Sequence, residues 1–458
     1  MSDPRVQLQA ILDAMPTAIE PTYLAAEDGR SIWLYRGPGE WQSEAARTHV
    51  GDAFIYLDLV PSFRLYIEAK VPAGVALGDW LSSRHSFELP TLARPPVPPH
   101  EQLGPLQEQE GTVQQLGPNA GINVGSRRMT KYVDFAVLNY PELTGRPIRY
   151  PNGSATARVQ FAGAGWKVTL DPVADSSGVW ERLAKNGGVA VTHGGRLERV
   201  GGELFAPSAA MEILECLHYF LWFTKGRSCA LCLPVGFDRS GQRLWAQWRA
   251  LWVAPEAAAL SWVDKHEGAN QLAQLFPLFV ALWRDPTYHS ALRISLRYYL
   301  DANDANPLQR GVALAQLCLE AIAYAHLVTA GHDPTAFGRR VHANVTLRTL
   351  LKLLRVPTAI PRSMSALHSV RPASWTMDPW DGPSAVTWLR NDVLHGEKKV
   401  PPPTLRAWTQ AWRLSGWYVE LCLLSLCGYQ GSYRSRVHED TWVGSTRPVP
   451  WAPRPPRR

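Results

Sequence analysis

The sequence predicts an α+β protein of several domains: a β-rich N-terminal region, a mixed α/β middle region and a C-terminal all-α bundle of helices. Up to about residue 260, many apolar residues alternate with polar ones, which is the period of a half-buried strand; after about residue 267 they follow the helical period. A chain of 458 residues is also too long for one hydrophobic core, so we expect two or three domains.

The first predicted domain is β-rich and covers residues 1–118. Runs of β-branched and aromatic residues, bounded by Gly and Pro, predict strands at 31–35, 54–60 and 64–70. Residues 90–118 are rich in Pro and polar side chains, so we expect a linker or a long irregular loop there.

The middle domain, residues 119–262, is predicted to be α+β. Gly pairs at 194–195 and 201–202 flank a short apolar–polar alternation, which predicts a hairpin over residues 193–205. Pro207 and Ser208 suit the start of a helix that runs to about residue 224. The remaining predicted elements are strands at 132–138, 166–170, 229–237 and 243–253.

The third domain, residues 263–430, is predicted to be all-α, because its apolar residues recur at helical spacing and prolines separate the periodic segments. Residues 431–458 are basic and Pro-rich. We expect them to form an extended tail, which either solubilises the protein or adds electrostatic attraction to nucleic acid. The predicted helices are 270–284, 288–303, 308–329, 338–355, 384–395 and 404–426.

The composition is that of a globular protein with a mild basic bias. Hydrophobic residues make up 46% of the chain, and the net charge is +7, which permits a nucleic-acid partner without requiring one. The N-terminus contains acidic residues and lacks the apolar core of a signal peptide, and the apolar stretch 414–428 is too short to cross a bilayer. We therefore expect a cytoplasmic protein without a membrane partner.

No common cofactor or metal motif is present. The sequence lacks a phosphate-binding P-loop, a dinucleotide-binding Gly motif, an HExxH pair and a GxSxG motif. Cys229 and Cys232 form a CxxC, but residues three apart on a strand face opposite sides, which favours two buried thiols over a metal site. His193, beside a Gly pair, is expected to be structural. We therefore predict no cofactor and no metal.

Arginine followed by histidine, with four to six residues between them, is a pattern that could bind a phosphate and transfer a proton. The spacing alone does not discriminate, because arginine and histidine are common in this chain. The first pair lies in the predicted linker, Pro286 interrupts the second, and the third lies in an irregular connection. The pairs are Arg94/His100, Arg284/His289, Arg362/His368 and Arg390/His395.

Only Arg390 and His395 share a predicted helix with defined ends, since Pro383 suits its first turn and Gly396 suits the position after its last residue. The negative end of the helix dipole would favour a protonated His395, which is a suitable general acid. Five residues advance a helix by about 500°, so the two side chains leave it about 140° apart. Both side chains can meet at one phosphate in three ways: the long Arg390 side chain reaches around the helix, the helix bends, or two chains contribute to one shared cleft.

The segment Arg390-Asn391-x-x-x-His395 resembles the signature of HEPN-domain ribonucleases. Upstream, residues 297–303 and the helix containing Leu319-Glu320-Ala321-Ile322 are similar to the HEPN domains of ApeA-like bacterial anti-phage proteins. The resemblance covers residues 285–428 and predicts a HEPN-like bundle. It implies that His395 is the general base or acid, that Arg390 binds the phosphate, that Asn391 orients the phosphate or the histidine, and that Glu320 is a supporting polar contact.

The resemblance further implies an endoribonuclease that needs no metal, leaves 2′,3′-cyclic phosphate ends and works as a homodimer or higher homo-oligomer. The expected substrate is cellular RNA such as tRNA, in anti-phage defence or growth arrest. Residues before about 260 would then sense a phage-derived trigger, or an inhibitory partner would restrain a toxin. The alternative is a non-catalytic dimeric protein that binds a nucleotide, RNA or protein, with Arg390 paired to Asp392 or Glu397 and His395 closing a helix end.

Overall fold

A computed structural model describes residues 12–26, 29–42, 48–59, 63–70, 111–115, 121–126, 128–249, 251–332, 342–376, 379–395, 402–438 and 442–453. Its first part is an antiparallel sheet of four strands in the order β1-β2-β3-β4. The three predicted strands of this region are confirmed. The strands are β1 (Ser31–Gln42), β2 (Thr48–Asp58), β3 (Arg64–Lys70) and β4 (Gly111–Gln115).

Strand β4 corrects part of the predicted linker. Residues 111–115 pair with β3, with Val113 opposite Glu68 and Thr112 opposite Ala69. The β-branched side chains of Thr112 and Val113 favour the extended backbone that this pairing needs. Residues 90–110 and 116–118 of the predicted linker lie outside the described residues.

A second antiparallel sheet has eight strands in the order β5-β12-β11-β6-β10-β9-β8-β7. The predicted strands of the middle region are confirmed, except that the strand predicted at 243–253 ends at Arg249 and residues 251–253 are not in a strand. The helix predicted at 207–224 is α2. The elements are β5 (Gly121–Gly125), β6 (Tyr132–Leu138), β7 (Arg146–Tyr150), β8 (Gly153–Gly163), β9 (Trp166–Pro172), α1 (Ser176–Asn186), β10 (Val191–Arg199), α2 (Pro207–Lys225), β11 (Ala230–Phe237) and β12 (Arg243–Arg249).

The hairpin predicted over residues 193–205 is wrong. Its first half is the single strand β10, which pairs with β6 on one side and β9 on the other. Gly195 does not make a turn there: a Cβ atom at this position would lie 2.2 Å from the ring of Phe135, so glycine allows that ring to cover the strand. Phe205 pairs with Thr130 instead of turning back on β10.

The two faces of the larger sheet bury different groups, as period-2 alternation requires. From β6, Phe135 and Val137 pack in the large hydrophobic core with α2 and the C-terminal helices, whereas Ala136 and Leu138 pack in a smaller core with the N-terminal sheet. Cys229 and Cys232 likewise belong to opposite cores and are buried free thiols, as predicted.

From residue 268 onward the chain is helical, and the predicted helices are confirmed where they are described. Residues 338–341 of one predicted helix lie outside the described part, and a short helix, α7, was not predicted. The helices are α3 (Gly268–Arg284), α4 (Pro286–Asn303), α5 (Leu308–Thr329), α6 (Ala343–Leu353), α7 (Ser365–Ser369), α8 (Gly382–His395) and α9 (Leu405–Leu426).

The helices and the larger sheet share one hydrophobic core. Val133 of β6, Phe276 of α3 and Tyr418 of α9 all belong to it. Helix α5 is long and apolar enough to cross a membrane by composition, but 61% of that apolar window is buried within the protein. It lies against α4, α8 and α9, as a central helix of a globular core does.

The prediction of an extended basic tail is wrong for the described part of residues 431–453. Tyr433 and Val449 are buried in the large core, and strands β13 (Ser432–Tyr433) and β14 (Arg447–Pro448) pair with each other. Arg436 is buried as well and forms an ion pair with Glu420 of α9 at 2.7 Å. A buried carboxylate therefore neutralises a cation that the composition assigned to a solvated tail.

Candidate functional site

Helix α8, which carries the predicted site residues, is fixed at its N-terminal end. The Asp381 carboxylate accepts a hydrogen bond from the backbone N–H of Ser384 (3.1 Å) and two from the Arg348 guanidinium of α6 (2.7 and 2.9 Å). A Cβ atom at Gly382 would lie 1.8 Å from the hydroxyl of Tyr418, so only glycine allows this close approach to α9. Capping and packing together set the rotation of α8 about its axis.

One face of α8 is buried, and the site lies at its edge. Ala385, Val386 and Leu389 are fully buried in the large core, at the spacing of one helical face. Arg390 follows Leu389 directly, and its side chain is 16% exposed. The neighbouring Asn391 is half-buried. The Arg390 side chain therefore starts in the core, and its guanidinium lies close to solvent.

Arg390 lies beside the glutamate that the sequence analysis singled out on α5. Its Nη2 is 3.6 Å from Glu320 Oε1, and the Glu320 side chain is 39% exposed. On the other side, Arg390 Nη1 donates to the Asn391 side-chain oxygen at 3.3 Å. Arg390 thus pairs with Glu320 on another helix. The alternative interpretation had expected Asp392 or Glu397 as its partner.

Gln316 belongs to the same group, although the resemblance to HEPN domains does not point to it. It lies one turn before Glu320 on α5, and its Nε2 donates to Glu320 Oε1 at 2.9 Å. The spacing of four residues between two polar side chains on an otherwise apolar helix is the signal that could have found it. Gln316, Glu320, Arg390 and Asn391 are called the Arg390 cluster below.

Three buried polar atoms on α5 and α8 have no hydrogen-bond partner among the described residues: Gln316 Oε1, Thr387 Oγ1 and Arg390 Nε. Thr387 lies one turn before Arg390 on α8. Buried polar groups without partners are uncommon in folded proteins and call for an explanation where they occur. Their location on the two helices that the cluster joins is consistent with a place that accommodates a further polar group.

His395 is the last residue of α8, but its side chain and Gly396 lie outside the described residues. The helix runs without interruption from Gly382 to His395, so no break brings positions 390 and 395 onto one face. A helix without a break can still curve, so the reach of Arg390, a bend of α8 and a cleft shared by two chains all stay open.

The competing arginine–histidine pairs are placed differently. Arg284 pairs with Glu212 at 3.2 Å, and His289 Nδ1 contacts the carbonyl of Trp283 at 2.9 Å, so both have local structural partners. Arg362 and His368 are exposed, the latter on the short helix α7. Arg94/His100 lies outside the described residues.

His193, the other histidine that the sequence singled out, is buried between β6 and β9. Its Nδ1 lies 3.0 Å from Thr192 Oγ1, and its ring packs edge-on against Tyr140. Burial lowers the pKa of His193 to about 3, which keeps the imidazole neutral near pH 7. This environment is that of a structural histidine, as predicted.

The Arg390 cluster contains the groups that contact an anion in other proteins. A guanidinium at the edge of the core, with its fork of donors held by a carboxylate and an amide, is suited to exchange the carboxylate for a phosphate. In the described part of the chain, no group of three or more His, Cys, Asp or Glu side chains could hold a metal ion. The guanidinium, the carboxylate and the two amides of the cluster are groups that can supply charge stabilisation and hydrogen bonds to a bound anion.

Comparison with known proteins finds similarity to one family in two regions. Residues 125–257 match the YopA central domain, which here comprises strands β6–β12 with α1 and α2, and residues 285–448 match the YopA C-terminal domain, which comprises α4–α9 and β13–β14. Of individual proteins, the SPbeta prophage-derived uncharacterized protein YopA of Bacillus subtilis (strain 168) is 24% identical over 326 residues, which span 70% of this chain and 72% of that protein. No solved structure matches the chain.

Proposed function

We propose that this protein is a metal-independent endoribonuclease of the HEPN type that acts on cellular RNA. The observation that carries the proposal is the contact between Arg390 and Glu320, 3.6 Å apart. The resemblance to HEPN ribonucleases was drawn from two segments about 70 residues apart in the sequence, the Arg-Asn-x-x-x-His segment and the Leu-Glu helix. Their contact in one half-open cluster supports treating them as parts of one site.

In the proposed reaction the nucleophile is the 2′-hydroxyl of the RNA itself. Its oxygen attacks the adjacent phosphorus while a base removes its proton, the bond from phosphorus to the 5′-oxygen breaks, and that oxygen takes up a proton. The products are a 2′,3′-cyclic phosphate and a free 5′-hydroxyl. Arg390 stabilises the extra negative charge on the phosphate, and Asn391 holds the guanidinium in orientation.

His395 transfers the protons in this proposal, as base, as acid, or as both in turn. Since α8 is uninterrupted and positions 390 and 395 differ by about 140° around it, we propose that a homodimer or higher homo-oligomer supplies Arg390 and His395 to one shared cleft. The β-rich regions before residue 260 would restrain the enzyme until a phage-derived trigger binds or an inhibitory partner leaves. The prophage origin of the Bacillus relative supports a role in phage–host conflict, in anti-phage defence or growth arrest in the cytoplasm.

The test compares the wild type with Arg390→Ala and His395→Ala in cleavage of total RNA, with a chelator present throughout. We expect both variants to lose about 10²- to 10³-fold in rate, as for removal of a group that stabilises the transition state. The cleaved wild-type products should carry 2′,3′-cyclic phosphates.

The matched control is Arg362→Ala combined with His368→Ala, which removes the exposed pair of similar spacing on and beside α7. It should cleave as the wild type does. Equal RNA integrity with the wild type and with both site variants, all folded equally well, would refute the ribonuclease and leave the non-catalytic binding protein, in which Arg390 and Glu320 form a structural ion pair.

A further inference from the structure

A separate cleft lies between the middle region and the helices, at the N-terminal end of α5. Its volume is about 300 Å³, at the lower limit of small-molecule sites. Two loops and two helices supply its walls: the segment between α2 and β11, the segment after β12, the end of α4 and the first turns of α5. Ligand sites are frequent at such junctions between structural units.

One wall of the cleft is a fixed ion pair. The buried Arg227 guanidinium donates to the carbonyl of Pro255 from Nε (3.2 Å) and Nη2 (3.0 Å), and it pairs with the carboxylate of Asp304. Three of its five N–H donors therefore point to groups of the protein. This pair is neutral as a unit and holds the two structural units together.

The other two charged residues of the cleft, Asp301 and Arg310, do not form an ion pair with each other within the described part of the chain. In the part of the chain that the structure describes, the Asp301 carboxylate has no hydrogen-bond or ion-pair partner, and Arg310 contacts the backbone carbonyl of Asp304 at 3.5 Å. Both residues line the cleft. Burial raises the pKa of Asp301 and nearby Arg310 lowers it, so the two groups are electrostatically coupled within the cavity.

Apolar surface completes the site. Trp252 lines the cleft and is 62% exposed, with only an edge-on contact to Trp222 at 6.5 Å between ring centroids. Ala254, Leu300 and Leu314 add aliphatic lining. A large exposed indole beside an open carboxylate and an open guanidinium is unusual for a surface without a ligand, since tryptophan is mostly buried when it has only a packing role.

We propose that this cleft binds a free α-amino acid with an aromatic or large apolar side chain. The ammonium group would pair with Asp301, the carboxylate with Arg310, and the side chain would pack on Trp252. The charges of the lining sum to zero, with Arg227 and Arg310 against Asp301 and Asp304. That balance fits a zwitterion better than a dianionic nucleotide, whose phosphate would lie among two carboxylates.

Calorimetric titration of the full-length protein with L-phenylalanine tests the assignment. L-phenylalaninamide, which lacks the carboxylate, and N-acetyl-L-phenylalanine, which lacks the ammonium group, should each bind at least about tenfold more weakly, because each loses one charge-assisted contact. Trp252→Ala, Asp301→Asn and Arg310→Gln should each weaken phenylalanine binding to a similar extent.

The control variant is Trp442→Ala, which removes an indole that is 82% exposed and does not line the cleft. It should bind phenylalanine as the wild type does. Absence of phenylalanine binding at millimolar concentration, equal binding of the three probes, or preferential binding of guanosine monophosphate would each overturn the proposal. None of these outcomes depends on ribonuclease activity.

Discussion

Two arginine–glutamate pairs join elements of the C-terminal region, and they differ in how far solvent reaches them. Arg436 and Glu420 are 2.7 Å apart with side chains 1% and 0% exposed, and Tyr299 donates to the same carboxylate oxygen at 2.6 Å. Arg390 and Glu320 are 3.6 Å apart with side chains 16% and 39% exposed. The sealed pair, Arg436–Glu420, is closed to solvent, whereas the open pair, Arg390–Glu320, lies where solvent reaches both side chains.

The difference in solvent access distinguishes an arginine in a structural ion pair from the arginine that the proposed function uses. Arg436 also donates to Asn303 at 2.8 Å and to the carbonyl of Leu260 at 3.0 Å, so it ties the C-terminal segment to α4 and to the chain before α3. Within the described part of the chain, Arg390 donates a further hydrogen bond to Asn391, at 3.3 Å, and its Nε has no partner. Charge alone does not distinguish the two arginines, but enclosure does.

The largest expected effect is on the sealed pair. Glu420→Ala leaves the Arg436 charge buried without its carboxylate, and breaking a buried pair in this way costs about 3–5 kcal/mol. The free energy of unfolding from urea titration should fall by that amount. Glu320→Ala, the matched change in the open pair, should cost no more than about 1 kcal/mol, because exposed pairs contribute little. Equal losses in the two variants would remove the distinction between the pairs.

The buried histidine His193 provides a second test of how exclusion from solvent affects a titratable side chain. The folded chain holds His193 neutral down to about pH 3, while the unfolded chain protonates it below about 6.5. Stability is therefore full above pH 6.5 and falls as the pH falls, by up to about 1.4 kcal/mol per pH unit for this group. Burial lowers the pKa of His218 to about 4, which adds a second contribution of the same sign.

His193→Gln should reduce this acid sensitivity, measured as the slope of unfolding free energy between pH 4.5 and pH 6.5 relative to that at neutral pH. The slope should not vanish, because His218 remains. His368→Gln, a change at an exposed histidine, should leave the slope as it is in the wild type. If His193→Gln and wild type lose stability in parallel, the imidazole is not sealed in the folded protein.

The spacing of apolar residues along the sequence predicts most of the helices and strands. This works because the spacing depends on which face of an element is buried and not on the partner that buries it. The errors came from residues whose role depends on a distant partner. The two Gly pairs at 194–195 and 201–202 predict a hairpin, but Gly195 lies within a strand and accommodates Phe135 from a neighbouring strand. Arg436 was interpreted as part of a solvated tail, but Glu420 and Tyr299 enclose it.

The candidate site was predicted in part. Arg390 and Glu320 were each found through a local resemblance, and their contact is a tertiary fact that no single segment contains. Gln316 was missed because its burial follows from how α5 lies among its neighbours. Trp252 and Arg310 were missed because the cleft joins segments far apart in the chain.

The smallest expected effect concerns the replacement of Glu320 by an RNA phosphate at Arg390. This prediction rests on the proposed function, in which RNA is the ligand. If Glu320 competes with phosphate for Arg390, then Glu320→Gln removes the competitor, keeps the hydrogen-bonding shape and leaves the guanidinium charge uncompensated. Binding of a single-stranded RNA by the His395→Ala background should then tighten about threefold, the equivalent of about 0.7 kcal/mol for a partly exposed pair.

Fluorescence anisotropy with labelled RNA at fixed low salt measures this shift, since higher salt screens the effect. Glu212→Gln is the matched control, because it uncouples Arg284 in another exposed pair, at 3.2 Å. Equal tightening by both variants would mean that only the net charge matters, and no change with Glu320→Gln would mean that the pair is structural. Absence of RNA binding by every variant would instead count against RNA as the ligand, which keeps the failure of exchange distinct from the failure of the proposed function.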